Sequence, residues 1–248
     1  MSRAISKEME DSARMEMSAI AEPAAAREAG RIWKHLFVIT ALLILAAGWL
    51  GLDRWFYEHV SLKFNTPDQL DDDLYNQTRW FWNTVRLWSH VLGVLIIYWM
   101  LVGFHRCSWR GANALGVAML ILGVCVQMLQ DCIGRLRPDQ ADSAVAFARF
   151  LGAWRDGAAT CFPSGEVTAA FALAVLMDRL WPRGRWAWYS AACLVALARL
   201  LPGRHYLSDA AAGALLGAWL APRFFEAALF WQDRIWGRNA PAVEANAG

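Results

Sequence analysis

Charged residues are scarce in this sequence, and several familiar motifs are missing from it. Charged residues make up 19% of the chain, and the formal net charge is only +2. No basic stripe with interleaved aromatic side chains occurs, so the sequence predicts no nucleic-acid partner. Cysteine is also sparse: the five cysteines form neither a C-x-x-C pair nor a zinc-ligand spacing, so they predict no metal site. The sequence has no internal repeat and no low-complexity segment.

Two of the cysteines flank one polar segment. Cys132 and Cys161 could form a disulfide there if that segment faces an oxidising compartment. The sequence does not set the distance between them, so free thiols are the alternative. Cys125 and Cys193 lie inside apolar runs, where packing explains them.

Apolar residues and tryptophan are abundant. Hydrophobic residues make up 57% of the chain and 15 residues are Trp, which is more than an ordinary soluble domain carries. Several apolar runs, taken with their flanks, are long enough to be membrane spans. The runs cover residues 36–52, 87–104, 112–133, 166–181, 186–201 and 210–220. The sequence therefore predicts an all-α integral membrane protein built as a six-helix bundle.

Arginine and lysine alternate with these runs in a way that predicts orientation. Basic residues are concentrated in both tails and in the links 105–110 and 182–185, which the positive-inside rule places in the cytoplasm. The expected organisation is a cytoplasmic tail at 1–32, a six-span domain at 33–222 and a cytoplasmic tail at 223–248. The outward loops are then 53–86, 134–163 and 202–208. Those loops share one side of the membrane.

The last outward loop carries a histidine and a carboxylate. His205 and Asp209 are four residues apart, so they share one face if a helix begins by His205. A carboxylate there can hold one imidazole N–H and leave the other nitrogen free to attack. The nearby Arg199 and Arg204 suit a phosphate better than a neutral substrate. The alternative is a polar interfacial loop without catalytic function.

The two other polar segments strengthen the phosphate interpretation. Residues 163–166, Pro-Ser-Gly-Glu, open an apolar run, and a helix N-terminus with a hydroxyl and free N–H groups binds anions readily. The alternative is that Ser164 is a simple N-cap and Glu166 a first-turn acid. Residues 130–138 add Arg135 and Arg137 at the outer end of another run. Together the three segments describe a phosphate pocket with a nucleophile.

These segments resemble the motifs of the type 2 phosphatidic acid phosphatase superfamily of membrane lipid phosphatases. The family signature reads K-x6-R-P, then P-S-G-H, then S-R-x5-H-x3-D. This sequence has Q-x6-R-P at 130–138, P-S-G-E at 163–166 and A-R-x5-H-x3-D at 198–209. The order of the motifs, the spacing within each and their placement on the predicted spans all match. The resemblance covers about residues 87–220.

The resemblance implies a mechanism that needs no metal and no other cofactor. His205 would be the nucleophile that forms a phosphohistidine, and Asp209 would orient it. Water would then release phosphate. The residues expected to bind the phosphate oxygens are Gln130, Arg137, Ser164, the Gly165 backbone N–H and Arg199.

Three positions depart from the family pattern. Gln130 stands where the family has lysine, and Ala198 where it has serine. Glu166 replaces the histidine that protonates the leaving group, and we expect Glu166 to be the catalytic acid in its place. A carboxylic acid can do so only if its pKa is raised towards neutral. The pocket is thus less positive than the family norm, unless Arg135 or Arg204 supplies charge.

The function expected from these features is a lipid phosphatase of the bacterial inner membrane, with its active site facing the periplasm. The expected substrate is a lipid phosphomonoester or diphosphate of the polyprenyl diphosphate, lipid A or phosphatidate type. One alternative is a phosphotransferase that passes the phosphoryl group to a lipid or sugar acceptor. Another is a degenerate site that binds a lipid phosphate without turnover. The expected partners are the lipid phosphate and the membrane.

Overall fold

The structure is a computed structural model that describes residues 35, 37–46, 48–61, 80–103, 109–140 and 160–236. The chain divides into two units, residues 1–40 and residues 41–248. In the first unit the described residues, 35 and 37–40, are helical. The predicted N-terminal tail, most of the loop 53–86 and the middle of the loop 134–163 lie outside the described residues, as does the end of the C-terminal tail.

Helices account for nearly all of the described chain. The second unit contains α1 (Asp53–His59), α2 (Val91–Gly103), α3 (Trp109–Ile133), α4 (Gly165–Leu180), α5 (Arg185–Leu200) and α6 (Leu207–Trp236). Residues 37–46 and 80–86 are also helical. Within the described residues the only β pairing is a bridge between Leu136 and Thr160. The predicted all-α class is confirmed. The bundle has more helical segments than six, since parts of the first outward loop are helical too.

Two helices begin or end differently from the apolar runs. The first run breaks in a π-helical turn at Gly48–Leu52, where Gly51 has φ 103°. Glycine tolerates that left-handed conformation because it has no Cβ, and α1 starts directly afterwards. The last helix, α6, continues through Pro222 to Trp236. It therefore extends well beyond the predicted core at 210–220.

The surface of the second unit is apolar in a way that suits a bilayer. Among the described helices, α3 is long and apolar enough to cross a membrane, and Phe37–Ala46 with Leu50–His59 meets that criterion only as a broken pair. Large apolar side chains point outward: Leu120 is 70% exposed, Met128 63% and Trp99 64%. A soluble protein rarely exposes so many large apolar side chains.

Close contact between α4 and α6 positions the candidate site. A Cβ on Gly217 would lie 2.2 Å from the carbonyl oxygen of Thr168, and one on Gly213 would lie 2.7 Å from that of Ser164. Only glycine allows the two backbones to approach so closely. As a result, the backbone N–H of Ser164 donates to the carbonyl oxygen of Asp209 at 3.0 Å. The N-terminal ends of α4 and α6 thus meet.

Candidate active site

His205 is a buried imidazole with a defined tautomer. Its Nδ1 lies 3.0 Å from the carbonyl oxygen of Cys161, and its Nε2 lies 3.3 Å from Nη2 of Arg199. A carbonyl can only accept, so Nδ1 carries the hydrogen and Nε2 carries the lone pair. Burial lowers the pKa of His205 below its ordinary value, although Asp209 acts in the opposite direction. The ring is therefore neutral at neutral pH, with Nε2 available as a nucleophile.

Asp209 is fully buried beside this ring. Its Oδ2 lies 3.6 Å from Nδ1 of His205, beyond ordinary hydrogen-bond distance. The same oxygen accepts from the backbone N–H of Tyr206 at 2.8 Å, and Oδ1 accepts from Nη1 of Arg135 at 2.6 Å. The predicted His205–Asp209 pair is thus brought together, with the carbonyl of Cys161 as the nearer partner of Nδ1–H. The Asp209 carboxylate acts on the ring mainly as a nearby charge.

A buried ion-pair network holds Asp209 in place. Nη2 of Arg135 donates to Oδ2 of Asp53 at 2.8 Å, and its Nη1 donates to Oγ of Ser208 at 2.7 Å. The backbone N–H of Ser208 donates to Oδ1 of Asp53 at 2.8 Å. The guanidinium also lies 4.3 Å from the ring centroid of Tyr206. Arg135 therefore directs its charge at two carboxylates.

Asp53 is a site residue that sequence reasoning missed. Its side chain is 1% exposed, and it starts α1 directly after the first apolar run. Ionisable groups at such positions are functional or paired by default, which is the one signal that could have identified it. Its partner Arg135 lies 82 residues away, so no local pattern connects them.

Three predicted phosphate ligands carry buried polar atoms without a hydrogen-bond partner. The atoms are Nε of Arg137, Oγ of Ser164 and Nε of Arg199; within the described residues only Oη of Tyr206 shares this property. Ser164 has an extended backbone and stands at the N-cap position of α4, but its hydroxyl makes no capping hydrogen bond. Unpaired buried donors destabilise a protein unless a ligand accepts from them. Their chemistry fits the oxygens of an anion.

Gln130, near the end of α3, and Gly165, at the start of α4, lie next to each other: a Cβ on Gly165 would be 3.6 Å from Nε2 of Gln130. Nε2 of Gln130 donates to the carbonyl oxygen of Pro163 at 2.7 Å and so fixes the segment that leads into Ser164. Both residues line a cavity of about 180 Å³ between α3 and α4, whose other lining includes Leu122 and Val126. The cavity therefore places two predicted phosphate ligands beside apolar side chains.

Glu166 is ion-paired on both of its oxygens. Nε of Arg86 donates to Oε2 at 2.8 Å and Nη2 of Arg86 donates to Oε1 at 2.7 Å. Nη1 of Arg199 lies 3.5 Å from the same Oε1. Arg86 was not predicted as a site residue. It stands at the end of a predicted outward loop, and its partner is 80 residues away.

The remaining polar candidates lie apart from the pocket or serve it structurally. Nη1 of Arg204 is 3.4 Å from Oδ2 of Asp139, so its charge is directed at that carboxylate. Cys132 and Cys161 are both free thiols, so the alternative without a disulfide is the one observed. Sγ of Cys161 donates to the carbonyl oxygen of Leu136 at 3.1 Å.

A possible cation site near His205 does not fit a metal. Ligand atoms of Cys161, His205 and Asp209 lie within 4.8 Å of one another. Burial and the charge of Asp209 raise the pKa of the Cys161 thiol, which disfavours the thiolate that a metal would need. Asp209 is already paired with Arg135, and Nδ1–H of His205 already donates to a carbonyl. Each of the three side chains thus has its hydrogen-bond partners within the protein.

Comparison with known proteins defines the class. Residues 111–232 match the PAP2 superfamily. The structure is similar to that of the first transmembrane PAP2-type phosphatidylglycerolphosphate phosphatase from Bacillus subtilis, with a TM-score of 0.52, 17% identity and coverage of 80% of this chain and 95% of that one. The shared fold is that of an α-helical membrane protein. Residues 111–232 thus form a PAP2 superfamily domain, as the three motifs predicted.

Curated relatives match over part of their length. A lipid A 1-phosphatase of Rhizobium johnstonii is 35% identical over 116 residues, which is 46% of each chain. A lipid A 4'-phosphatase of Bacteroides thetaiotaomicron is 31% identical over 133 residues, 49% of this chain and 56% of the relative. The chain thus spans about half the length of the curated relatives that it matches.

Proposed function

We propose that this protein is a membrane lipid phosphatase that works through a phosphohistidine on His205. One observation carries the proposal: Arg137, Ser164 and Arg199 hold buried unpaired donors, and Arg199 also contacts the unprotonated Nε2 of His205. Donors placed in advance around a phosphate stabilise the charge that develops in the transition state. The match of residues 111–232 to the PAP2 superfamily and the similarity to a lipid A 1-phosphatase support the same activity.

The reaction has two steps. In the first, Nε2 of His205 bonds to phosphorus while the bond between phosphorus and the lipid oxygen breaks. The ring becomes a cation, which the carboxylate of Asp209 at 3.6 Å stabilises. In the second step a water molecule attacks phosphorus and releases a proton to the solvent, the bond from phosphorus to nitrogen breaks, and inorganic phosphate leaves. Arg137, Arg199, Ser164 and the backbone N–H of Gly165 bind the oxygens throughout.

The substrate is a lipid whose phosphate reaches the site from the membrane. The cavity between α3 and α4 combines apolar lining with Gln130 and Gly165, so it suits a tail beside a bound phosphate. The curated relatives act on lipid A, so a lipid A-type phosphomonoester is the first candidate. Polyprenyl diphosphate and phosphatidate types are the other members of the substrate panel.

The site faces outward from a bacterial inner membrane. The basic links and tails favour a cytoplasmic location for the opposite ends of the helices. His205 would then act in the periplasm.

The direct test is phosphate release by the purified protein in detergent from the lipid panel. We expect the wild-type protein to release phosphate. His205→Ala should release it at least about 10³-fold more slowly, because the covalent step disappears. Arg179→Gln is the matched control, since that arginine pairs with Glu226 near the far end of α4. Equal release by wild type and His205→Ala would refute the proposal. Phosphohistidine without release would instead indicate phosphotransfer.

A further inference from the structure

A row of four ionisable side chains runs from the surface to the nucleophile. Arg86 contacts Glu166 at 2.7 Å, Glu166 lies 3.5 Å from Arg199, and Arg199 lies 3.3 Å from Nε2 of His205. Side-chain exposure falls along the row, from 35% for Arg86 through 25% for Glu166 to 9% for Arg199. Arg86 therefore lies on the exposed side of the pocket and His205 on the buried side.

The pocket lacks the positive charge that lysine would supply at Gln130. The Gln130 amide is neutral and donates to the carbonyl of Pro163. Two other arginines near the site direct their charge elsewhere, Arg135 at Asp53 and Asp209, and Arg204 at Asp139. Arg86 reaches the pocket from outside the three motifs, through its contact with Glu166.

The geometry of Glu166 suits an anchor better than a proton donor. Both of its oxygens accept from the same guanidinium in a bidentate, charge-assisted pair. A proton on either oxygen would break one of those two hydrogen bonds. Its carboxylate also faces Arg199, so a neutral Glu166 would leave two guanidinium groups without a counter-charge.

We propose that Glu166 is a positioning residue and that Arg86 is the substrate-binding residue it holds. This rests on the proposed phosphatase function and names a further group for that reaction. In-line attack by Nε2 from the buried side leaves the departing lipid oxygen on the exposed side, where Arg86 stabilises its negative charge. The Arg86 side chain is partly exposed, so the departing alkoxide beside it is in contact with water. The alkoxide takes its proton from that water. Arg86 thereby offsets the negative charge of Glu166 and supplies a guanidinium from outside the three motifs.

The test is a double-mutant cycle of Arg86→Gln, Glu166→Gln and the double variant, with kcat, KM and pH profiles measured on one lipid phosphomonoester. We expect Arg86→Gln to lower kcat/KM by about 10-fold or more, since it removes a charged contact and leaves Glu166 to repel the phosphate. Adding Glu166→Gln to Arg86→Gln should recover part of that loss. Glu166→Gln alone should lower kcat/KM less than Arg86→Gln does. It should also leave the dependence of kcat on pH above neutral unchanged.

A general-acid role for Glu166 predicts the opposite pattern. Glu166→Gln alone would then lower kcat by about 10²-fold or more and remove the basic limb of the pH profile, while the double variant would be slower still. That result, or an Arg86→Gln variant with wild-type kcat/KM, would overturn the proposal. The matched control is the same cycle on Arg179 and Glu226, an ion pair at 2.7 Å near the opposite end of α4. It should leave kcat/KM unchanged.

A second background and a binding measurement separate the two proposals. With Gln130→Lys and Glu166→His together, the family lysine and histidine return, and Arg86→Gln should then change kcat/KM by less than about 2-fold. Orthophosphate affinity, followed by tryptophan fluorescence, should be weaker in Arg86→Gln than in the Arg86→Gln/Glu166→Gln double variant. If wild type and His205→Ala show the same turnover, the phosphatase proposal fails. The orthophosphate affinities then still decide the role of Arg86, and equal affinities in the two variants would overturn it.

Discussion

At the scale of single residues, the state of one imidazole determines whether attack is possible. Nδ1–H of His205 donates to the carbonyl of Cys161, so Nε2 carries the lone pair. Burial lowers the pKa of His205, and the nearby Asp209 limits that lowering. The nucleophile therefore does not depend on a separate base to become neutral. This matters because a protonated imidazole cannot bond to phosphorus.

In the pH profile of kcat/KM, the acid limb should consequently have its midpoint below the ordinary histidine pKa of about 6.5. Activity is lost only when the pH falls through the lowered pKa of His205. Asp209→Asn removes a charge that raises this pKa, so the limb should move to still lower pH while kcat falls. Comparing the two proteins on one substrate cancels the titration of the substrate phosphate. A limb that moves to higher pH in Asp209→Asn would contradict the assignment.

At the scale of elements, the separation of α4 and α6 sets the geometry of the pocket. α4 contributes Ser164 and Glu166 at its start, and α6 follows directly after His205. Gly217 lies two to three turns into α6, where a Cβ would be 2.2 Å from the carbonyl oxygen of Thr168. The contact between the backbones thus involves none of the predicted site residues, yet it sets the distance between Ser164 and His205.

Gly217→Ala should therefore reduce both stability and activity without touching a site residue. Overpacking at such a contact destabilises by about 1–3 kcal/mol, and separation of the helices misplaces Ser164 relative to His205. Thermal unfolding in detergent and phosphate release measure the two effects. Gly103→Ala at the end of α2 is the control, because a Cβ there meets nothing within 4 Å. Equal behaviour of the two variants would show that the close α4–α6 contact is unimportant.

At the scale of the whole molecule, one end of the helices carries the chemistry and the other carries basic links. The segment around Gln140 belongs to the end that holds Arg137 and His205, whereas Arg183 follows α4 at the opposite end. The positive-inside rule places Arg183 in the cytoplasm.

Cysteine labelling of intact cells tests that orientation. In a variant without the native cysteines, Gln140→Cys should react with a membrane-impermeant maleimide in spheroplasts. Arg183→Cys should react only after the membrane is permeabilised. Both side chains are exposed, so accessibility within the protein does not limit labelling. The reverse pattern would place the active site in the cytoplasm.

Much of the site was predictable from local sequence. Motif spacing identified His205, Asp209, Arg137, Ser164 and Arg199, and the structure brings these residues together at one end of the bundle. Their assigned roles remain predictions until turnover is measured. The partners of the charged residues were not predictable. Arg86 reaches Glu166 across 80 residues, and Asp53 reaches Arg135 across 82.

The sequence by itself determined the helical class, the apolar surface and the order of the phosphate-binding motifs. Those properties depend on residues close together in the chain, through backbone propensity and apolar periodicity. Only the tertiary structure decided that Arg135 forms ion pairs with Asp53 and Asp209, and that Glu166 forms one with Arg86. The physical reason is that a buried charge is stabilised by the opposite charge that packing brings within about 4 Å. Packing joins segments that are far apart in the chain, and no local pattern relates them.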